Sequence, residues 1–421
     1  MSYMTKSSYK NNLKNILPPL YAFMAIGISA LFFIYMGQTN RADVIGRFSI
    51  ISTGIFLLTH IFSLGNDQAI LSTVPNKIIL SKIYLDKRLL VPFFSFLASF
   101  IVIDTLFKFV LFESYLLNYL TDLNIYKLQY SLIISLTVFM ANISKTLASF
   151  YIINNYINTA NTLYFFKSIG LMFGVAAFIF LDSNKELLIV FLMELTCCMS
   201  LILILLFHAI RQRLAWTYHH FQKNFFIAGL NIFGFDSILK QDLIILSFFQ
   251  GPSEVAKYAV ISSVYEGLSQ TITTLQQNYS NVLRKKISIK FDPNFKLKNK
   301  LQNILSIGFK LSILFIFAAP TFYFIVFSSI EAQIIIIIFI LQVALLFGYP
   351  AIITFYTRSI QGEPFRLFVV SIFIIITNTF ISIILYNIVG IVGVSIGTML
   401  SFLMMRIFIY RHSKILFMKE N

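Results

Sequence analysis

Acidic side chains are scarce in this chain. Only 17 of its 421 residues are Asp or Glu, against 33 Lys and Arg, and charged residues of both signs together make up 12%. Soluble domains carry about a quarter, so a composition this poor in charge lies outside their range. Cysteine is nearly missing as well: the two present, Cys197 and Cys198, are neighbours inside an apolar stretch. Adjacent cysteines make no structural disulfide framework and offer no metal-ligand spacing. The five histidines are scattered, no Gly-rich phosphate loop occurs, and no Asp-x-Asp stands in a loop. These gaps argue against a metalloenzyme or an ATP-driven pump, and neither a metal nor a cofactor is expected.

What fills the chain is apolar. Hydrophobic residues make up 58% and the mean hydropathy is +0.81, the composition of a polytopic membrane protein. The segment before Ile16 has no small-residue cleavage site, so the first apolar stretch reads as a retained helix. Apolar runs of about twenty residues then place spans near 16–36, 44–64, 89–111, 128–152, 160–181, 187–209, 225–249, 255–282, 303–327, 332–355, 367–387 and 389–410. The expected fold is all-α, with about twelve transmembrane helices.

Charge placement sets the orientation. A net charge of +16 would point to nucleic acid in a soluble protein, but here the basic residues sit mainly in alternate connections, so no nucleic-acid partner is expected. Lys6, Lys10 and Lys14 precede the first span; Lys82, Lys87 and Arg88, Arg211 and Arg213, and the run from Arg284 to Lys300 fall on the same side. The opposite side holds Arg41, Lys127 and Lys185. Positive connections resist translocation, which puts both termini in the cytoplasm. Every outer connection is short, leaving no room for an extramembranous catalytic domain.

The eighth span is the exception to hydropathy. As one helix it is long enough to cross a bilayer, yet Ser262, Glu266, Ser269, Gln270, Thr273, Gln276, Gln277 and Ser280 fall in a stripe roughly 120° wide, opposite Val264, Leu268, Ile272, Leu275 and Tyr279. Such a helix borders a water-filled lumen, because unsatisfied polar groups in hydrocarbon cost several kcal/mol each. The alternative is an amphipathic helix lying on the membrane surface.

Two segments resemble each other: Ile45-Gly-Arg-Phe-Ser-Ile-Ile and Val255-Ala-Lys-Tyr-Ala-Val-Ile, 210 residues apart. An offset of half the chain, spanning six helices, predicts parallel six-helix lobes over residues 1–210 and 211–421, around a central cavity. Gly170 and Gly174, and Gly390, Gly393 and Gly397, have the small-residue spacing of close helix packing. Pro320 and Pro350 lie within spans and predict kinks.

Ionisable residues inside spans are costly unless they face a cavity or a partner. Arg47, Lys145, Lys240 and Lys310, drawn from both halves, are candidate lumenal cations for an anionic group such as a phosphate, against snorkelling or structural pairing. Glu194, Asp242 and Glu266 are candidate carboxylates for coupling to H+ or Na+. Asp236 and Lys240, four apart, can neutralise each other, as can Asp104 and Lys108.

Asp242-Leu-Ile-Ile-Leu-Ser-Phe-Phe-Gln-Gly251 followed by Glu254-Val-Ala-Lys-Tyr258 resembles a pattern of the bacterial polysaccharide flippases, the O-antigen and capsule exporters of the multidrug/oligosaccharidyl-lipid/polysaccharide superfamily. Val44-Ile-Gly-Arg-Phe48 leading to Ser63-Leu-Gly65, and Asn387-Ile-Val-Gly-Ile-Val-Gly393, extend the likeness over essentially the whole chain. The resemblance implies an inner-membrane flippase, not an enzyme. It would turn an undecaprenyl-pyrophosphate-linked oligosaccharide from the cytoplasmic to the periplasmic leaflet, within membrane lipid and alongside other polysaccharide-assembly proteins. Ser269, Gln270, Thr273, Gln276 and Gln277 would then meet the sugar. An ion-coupled multidrug exporter of the same superfamily and an integral-membrane polymerase are the alternatives.

Overall fold

The computed structural model describes residues 27–63, 66, 70, 83–85, 87–106, 123–154, 157–181, 186–211, 214–216, 238, 240–287, 294–361 and 364–417. These include twelve helices: α1 Gly27–Gln38, α2 Ala42–Ser63, α3 Val91–Leu106, α4 Leu123–Ile153, α5 Ile157–Leu181, α6 Glu186–Ile210, α7 at 240–249, α8 Pro252–Ile287, α9 Asn294–Phe327, α10 Ala332–Gln361, α11 Pro364–Val389 and α12 Ile391–Phe417. Each coincides with one expected span. Several run further than hydropathy indicates: α9 starts at Asn294 and α8 continues to Ile287. Hydropathy marks where lipid begins, whereas the helical hydrogen-bond ladder continues into polar sequence as long as it is not interrupted. α9 and α10 carry Pro320 and Pro350 in their interiors.

Among the described residues, eight helical segments, in α2, α3, α4, α6, α9, α10, α11 and α12, are long and apolar enough to cross a membrane. α8 is not among them, which follows from its polar stripe. The fold is nearly all-helical, with one amendment. Ile83–Leu85 (β1) pairs in parallel with Leu214–Trp216 (β2), joining two connections that the charge pattern places on the cytoplasmic side.

Packing separates the helices into two groups. α2 packs on α3, α4 and α6, α4 on α3, α5 and α6, and α5 on α6; in the second group α8 packs on α9 and α10, α10 on α9, α11 and α12, and α11 on α12. Small residues let the pairs approach: a Cβ at Gly170 would lie 2.7 Å from Leu192 O on α6, and one at Gly393 would lie 2.3 Å from Leu385 O on α11. Gly390, at φ +65°, makes the left-handed turn between α11 and α12, where a side chain would be strained. The broad contact between the groups is α2 against α8, the two helices that carry the matched heptapeptides.

Candidate functional site

The two groups meet at one end of the molecule. A Cβ at Gly46 on α2 would stand 1.9 Å from Pro252 O at the start of α8, and one at Gly37 on α1 would stand 2.4 Å from Val326 O on α9. Phe33 and Phe322 stack edge-on across the same seam, with centroids 6.4 Å apart. This end carries the α1–α2, α7–α8 and α9–α10 turns. A single apolar cluster crosses the seam, from Met36, Ile45 and Phe48 to Val255, Ala256, Ala319 and Val326.

Below the seam lies a cavity of about 350 Å³ between the groups. Phe33, Phe48, Ser49 and Ser52 face it from one side, and Lys240, Leu243, Ser263, Glu266 and Phe322 from the other. From α8 the lining is Ala259, Ser263, Val264, Glu266 and Gly267, so of the expected polar stripe only Glu266 faces this cavity, and Val264 of the opposite side faces it too. Ser262 and Ser269 are buried; Gln270, Thr273, Gln276 and Gln277 lie on α8 with side chains outside the described residues.

Lys240 pairs with Glu266 of α8. The expected partner, Asp236, lies outside the described residues, as does Lys108. Glu266 Oε1 also accepts a hydrogen bond from Ser262 Oγ at 3.2 Å. The Lys240 ammonium stands 5.7 Å from the ring centre of Phe56 on α2, and Lys145 on α4 stands 5.0 Å from the same ring. Two of the four expected cations, one from each group of helices, thus meet on one aromatic side chain, within cation–π range. Lys145 Nζ is 3.1 and 3.2 Å from the two ring nitrogens of His60, while His60 Nδ1 lies 2.9 Å from Phe56 O. The network assigns Nδ1–H as donor to that carbonyl and leaves Nε2 to accept from the ammonium.

The other two cations lie apart. Arg47 reaches Asp43 at 3.5 Å and Glu186 at 4.0 Å, both in its own group of helices. Lys257, its counterpart in the heptapeptide match, bonds Glu254 at 3.1 Å and Glu331 at 2.8 Å, again within its own group. Lys310 is exposed on α9.

The carboxylates divide by partner. Glu194 is buried and paired with Lys167 of α5. Asp242 is 1% exposed and has hydroxyl partners: Tyr258 Oη donates to its Oδ2 at 2.6 Å and Thr398 Oγ1 to the same oxygen at 2.5 Å. Its Oδ1 has no hydrogen-bond partner of ordinary geometry among the described residues. Beside it, Asn378 Oδ1 accepts from Ser401 at 3.0 Å, and its amide donates to Gln241 Oε1 at 3.2 Å. Residues 240 and 242 are about 200° apart around the helix, which turns Lys240 to the cavity and Asp242 into the packing among α8, α11 and α12. Phe56, His60, Asn378 and Thr398 were not singled out from sequence, whereas Asp242 and Tyr258 are the two ends of the segment that carries the family resemblance. Asn378 and Thr398 carried a usable signal, being polar residues within strongly apolar spans.

No family model matches the sequence, and no curated protein sequence matches it. Among solved structures, a MATE in complex with MaL6 superposes with a TM-score of 0.66 at 14% identity, covering 96% of this chain and 95% of that one. The outward-facing conformation of a multidrug resistance MATE family transporter of the MOP superfamily gives 0.67 at 14% identity, over 96% and 94%. The inward-facing conformation of a transporter so described gives 0.63 at 14%, over 97% and 100%. Over almost its full length, this chain has the fold of MATE transporters of the MOP superfamily.

Proposed function

We propose that the protein is a membrane transporter that carries an anionic lipid-linked oligosaccharide between leaflets, with the diphosphate head in the cavity and the lipid tail left in the bilayer. The observation that carries this reading is the convergence of Lys145 and Lys240, one from each group of helices, on Phe56 beside the cavity. A diphosphate leaving water loses hydration worth far more than that of a neutral sugar, and fixed ammonium groups replace it. Hydroxyls such as Ser49, Ser52 and Ser263 supply partners for sugar oxygens. A cavity of about 350 Å³ is at the small end for ligand sites, so a whole repeat unit requires the lobes to part. Arg47 and Lys310 belong to the same proposal as secondary cations. The direction, from the cytoplasmic to the periplasmic leaflet of a bacterial inner membrane, is what the family resemblance implies.

Asp242 is the proposed coupling carboxylate. It is fully buried, its hydrogen-bond partners are the hydroxyls of Tyr258 and Thr398, and Oδ1 has no partner of ordinary geometry among the described residues, so a proton or Na+ would complete its shell. Glu194 is already neutralised by Lys167 and is a weaker choice.

A multidrug exporter is the second reading. The Glu266 carboxylate on the cavity wall favours it, since a cationic drug needs an anion, and two of the structural neighbours are described as multidrug resistance transporters. Complementation separates the two. The first reading expects the gene to restore surface-polysaccharide display in a flippase-deficient strain without raising drug tolerance; drug tolerance without display overturns it.

A further inference from the structure

Lys240 and Glu266 pair on the cavity wall, with 18% and 17% of their side chains exposed. They sit on different helices of one lobe, α7 and α8, and Lys240 also touches Phe56 of the other lobe. An ammonium at this depth needs an anion beside it at all times, because an uncompensated charge away from water costs several kcal/mol. Glu266 supplies that anion from the protein itself. It is not locked in place: among the described residues only Lys240 and the hydroxyl of Ser262 hold it, and both Lys240 and Glu266 line the cavity.

We infer that Glu266 stands in for the ligand's anionic group: a diphosphate diester takes Lys240 from Glu266, and Glu266 binds a proton as it is released. The Lys240 N–H contact to Glu266 Oε2 gives way to an N–H contact to a phosphoryl oxygen. A bare carboxylate next to two phosphate charges is strongly disfavoured, so it takes up one proton from the buffered solution, which reaches it through the cavity. Ser262 Oγ–H continues to donate to Oε1. Proton and anion therefore bind together, and linkage makes the effect mutual: acid strengthens ligand binding by the factor by which ligand strengthens proton binding. The neighbouring titratable groups are otherwise engaged. From α2 and α4, His60 and Lys145 hold each other across Phe56; from α6, Glu194 is tied to Lys167; from α7, Asp242 faces away, bonded to Tyr258 of α8.

This inference rests on the anionic-substrate reading and adds the proton linkage to it. The test uses the purified full-length protein in non-ionic detergent, titrated with citronellyl-diphospho-N-acetylglucosamine, a diester whose two charges do not change across neutral pH. Wild type should bind about tenfold more tightly at about pH 6 than at about pH 8, with net proton uptake seen in buffers of differing ionisation enthalpy. E266Q, which removes the internal competitor, should bind tightly at both pH values. K240Q should lose binding at both. If E266Q keeps the wild-type pH dependence, or binds more weakly than wild type at about pH 8, the inference fails while the anionic-substrate reading survives. Should E266Q not fold, wild type decides alone, and a flat affinity with no proton uptake overturns the inference. If wild type binds tetraphenylphosphonium and not the diester, the substrate reading fails, and the inference with it.

Discussion

Gly46 of α2 lies directly against Pro252 of α8, so close that even a methyl group at position 46 would stand 1.9 Å from the proline carbonyl oxygen. No side chain fits there without moving backbone. Gly46 lies in the first of the two matched segments, and Pro252 stands three residues before the second, at the start of α8.

Replacing Gly46 with Val should hold this end apart. In cells carrying G46V together with S52C, a membrane-impermeant thiol reagent added outside should label Cys at position 52 faster than in S52C alone, and transport should fall about tenfold or more. Unchanged labelling and transport would mean that the seam is not the gate.

For Asp242, the two substitutions D242N and D242A should separate structure from coupling. D242N keeps an acceptor for Tyr258 and Thr398 and should reach normal membrane levels, but lose most transport and the part of it driven by an H+ or Na+ gradient, while the pH dependence of ligand binding through Glu266 stays. D242A leaves two buried hydroxyls without their acceptor, at about 1–3 kcal/mol each, and should lower the melting temperature as well. Full transport by D242N, with its ion dependence intact, would remove this residue from the coupling role.

Charge reversal at the cations should be graded by position. K240E and K145E should abolish surface-polysaccharide display at normal membrane levels, each worse than the corresponding Ala variant, because a like charge repels the substrate where screening is poor. R47E and K310E should be milder, since Arg47 is engaged by Asp43 and Glu186 and Lys310 is exposed. Wild-type display by both K240E and K145E would rule out the cationic cavity.

The Lys167–Glu194 pair offers a stability test. Removing the carboxylate alone, as in E194L, leaves an ammonium among apolar helices and should lower the melting temperature by several degrees; K167M/E194L should recover most of the loss. Additive losses in the double variant would show that the pair is not coupled.

Orientation is testable by reporter fusions. Fusions after Asn66 and Lys290 should report a cytoplasmic position and one after Ser183 a periplasmic one. The reverse at any of the three would overturn the topology.

The spans were legible in sequence because hydropathy is local: about twenty apolar residues cross a bilayer wherever they occur in the chain, so α2, α6 and α11 follow from composition alone. The polar stripe of α8 was equally local, a matter of 100° steps along one helix, but of its residues only Glu266 lines the described cavity. Partner choice was not local. Lys240 had a carboxylate one turn away in sequence at Asp236, yet its ammonium is paired with Glu266, on the next helix. Lys145 and Phe56, 89 positions apart by their numbers, meet because α2 and α4 pack side by side. Asp242 likewise looked like one more intramembrane acid until Tyr258 of α8 and Thr398 of α12 closed around it. Sequence fixes which groups cannot face lipid, since that cost is borne residue by residue. Which of them neutralise one another depends on distances between helices, and only the packing of the lobes sets those distances.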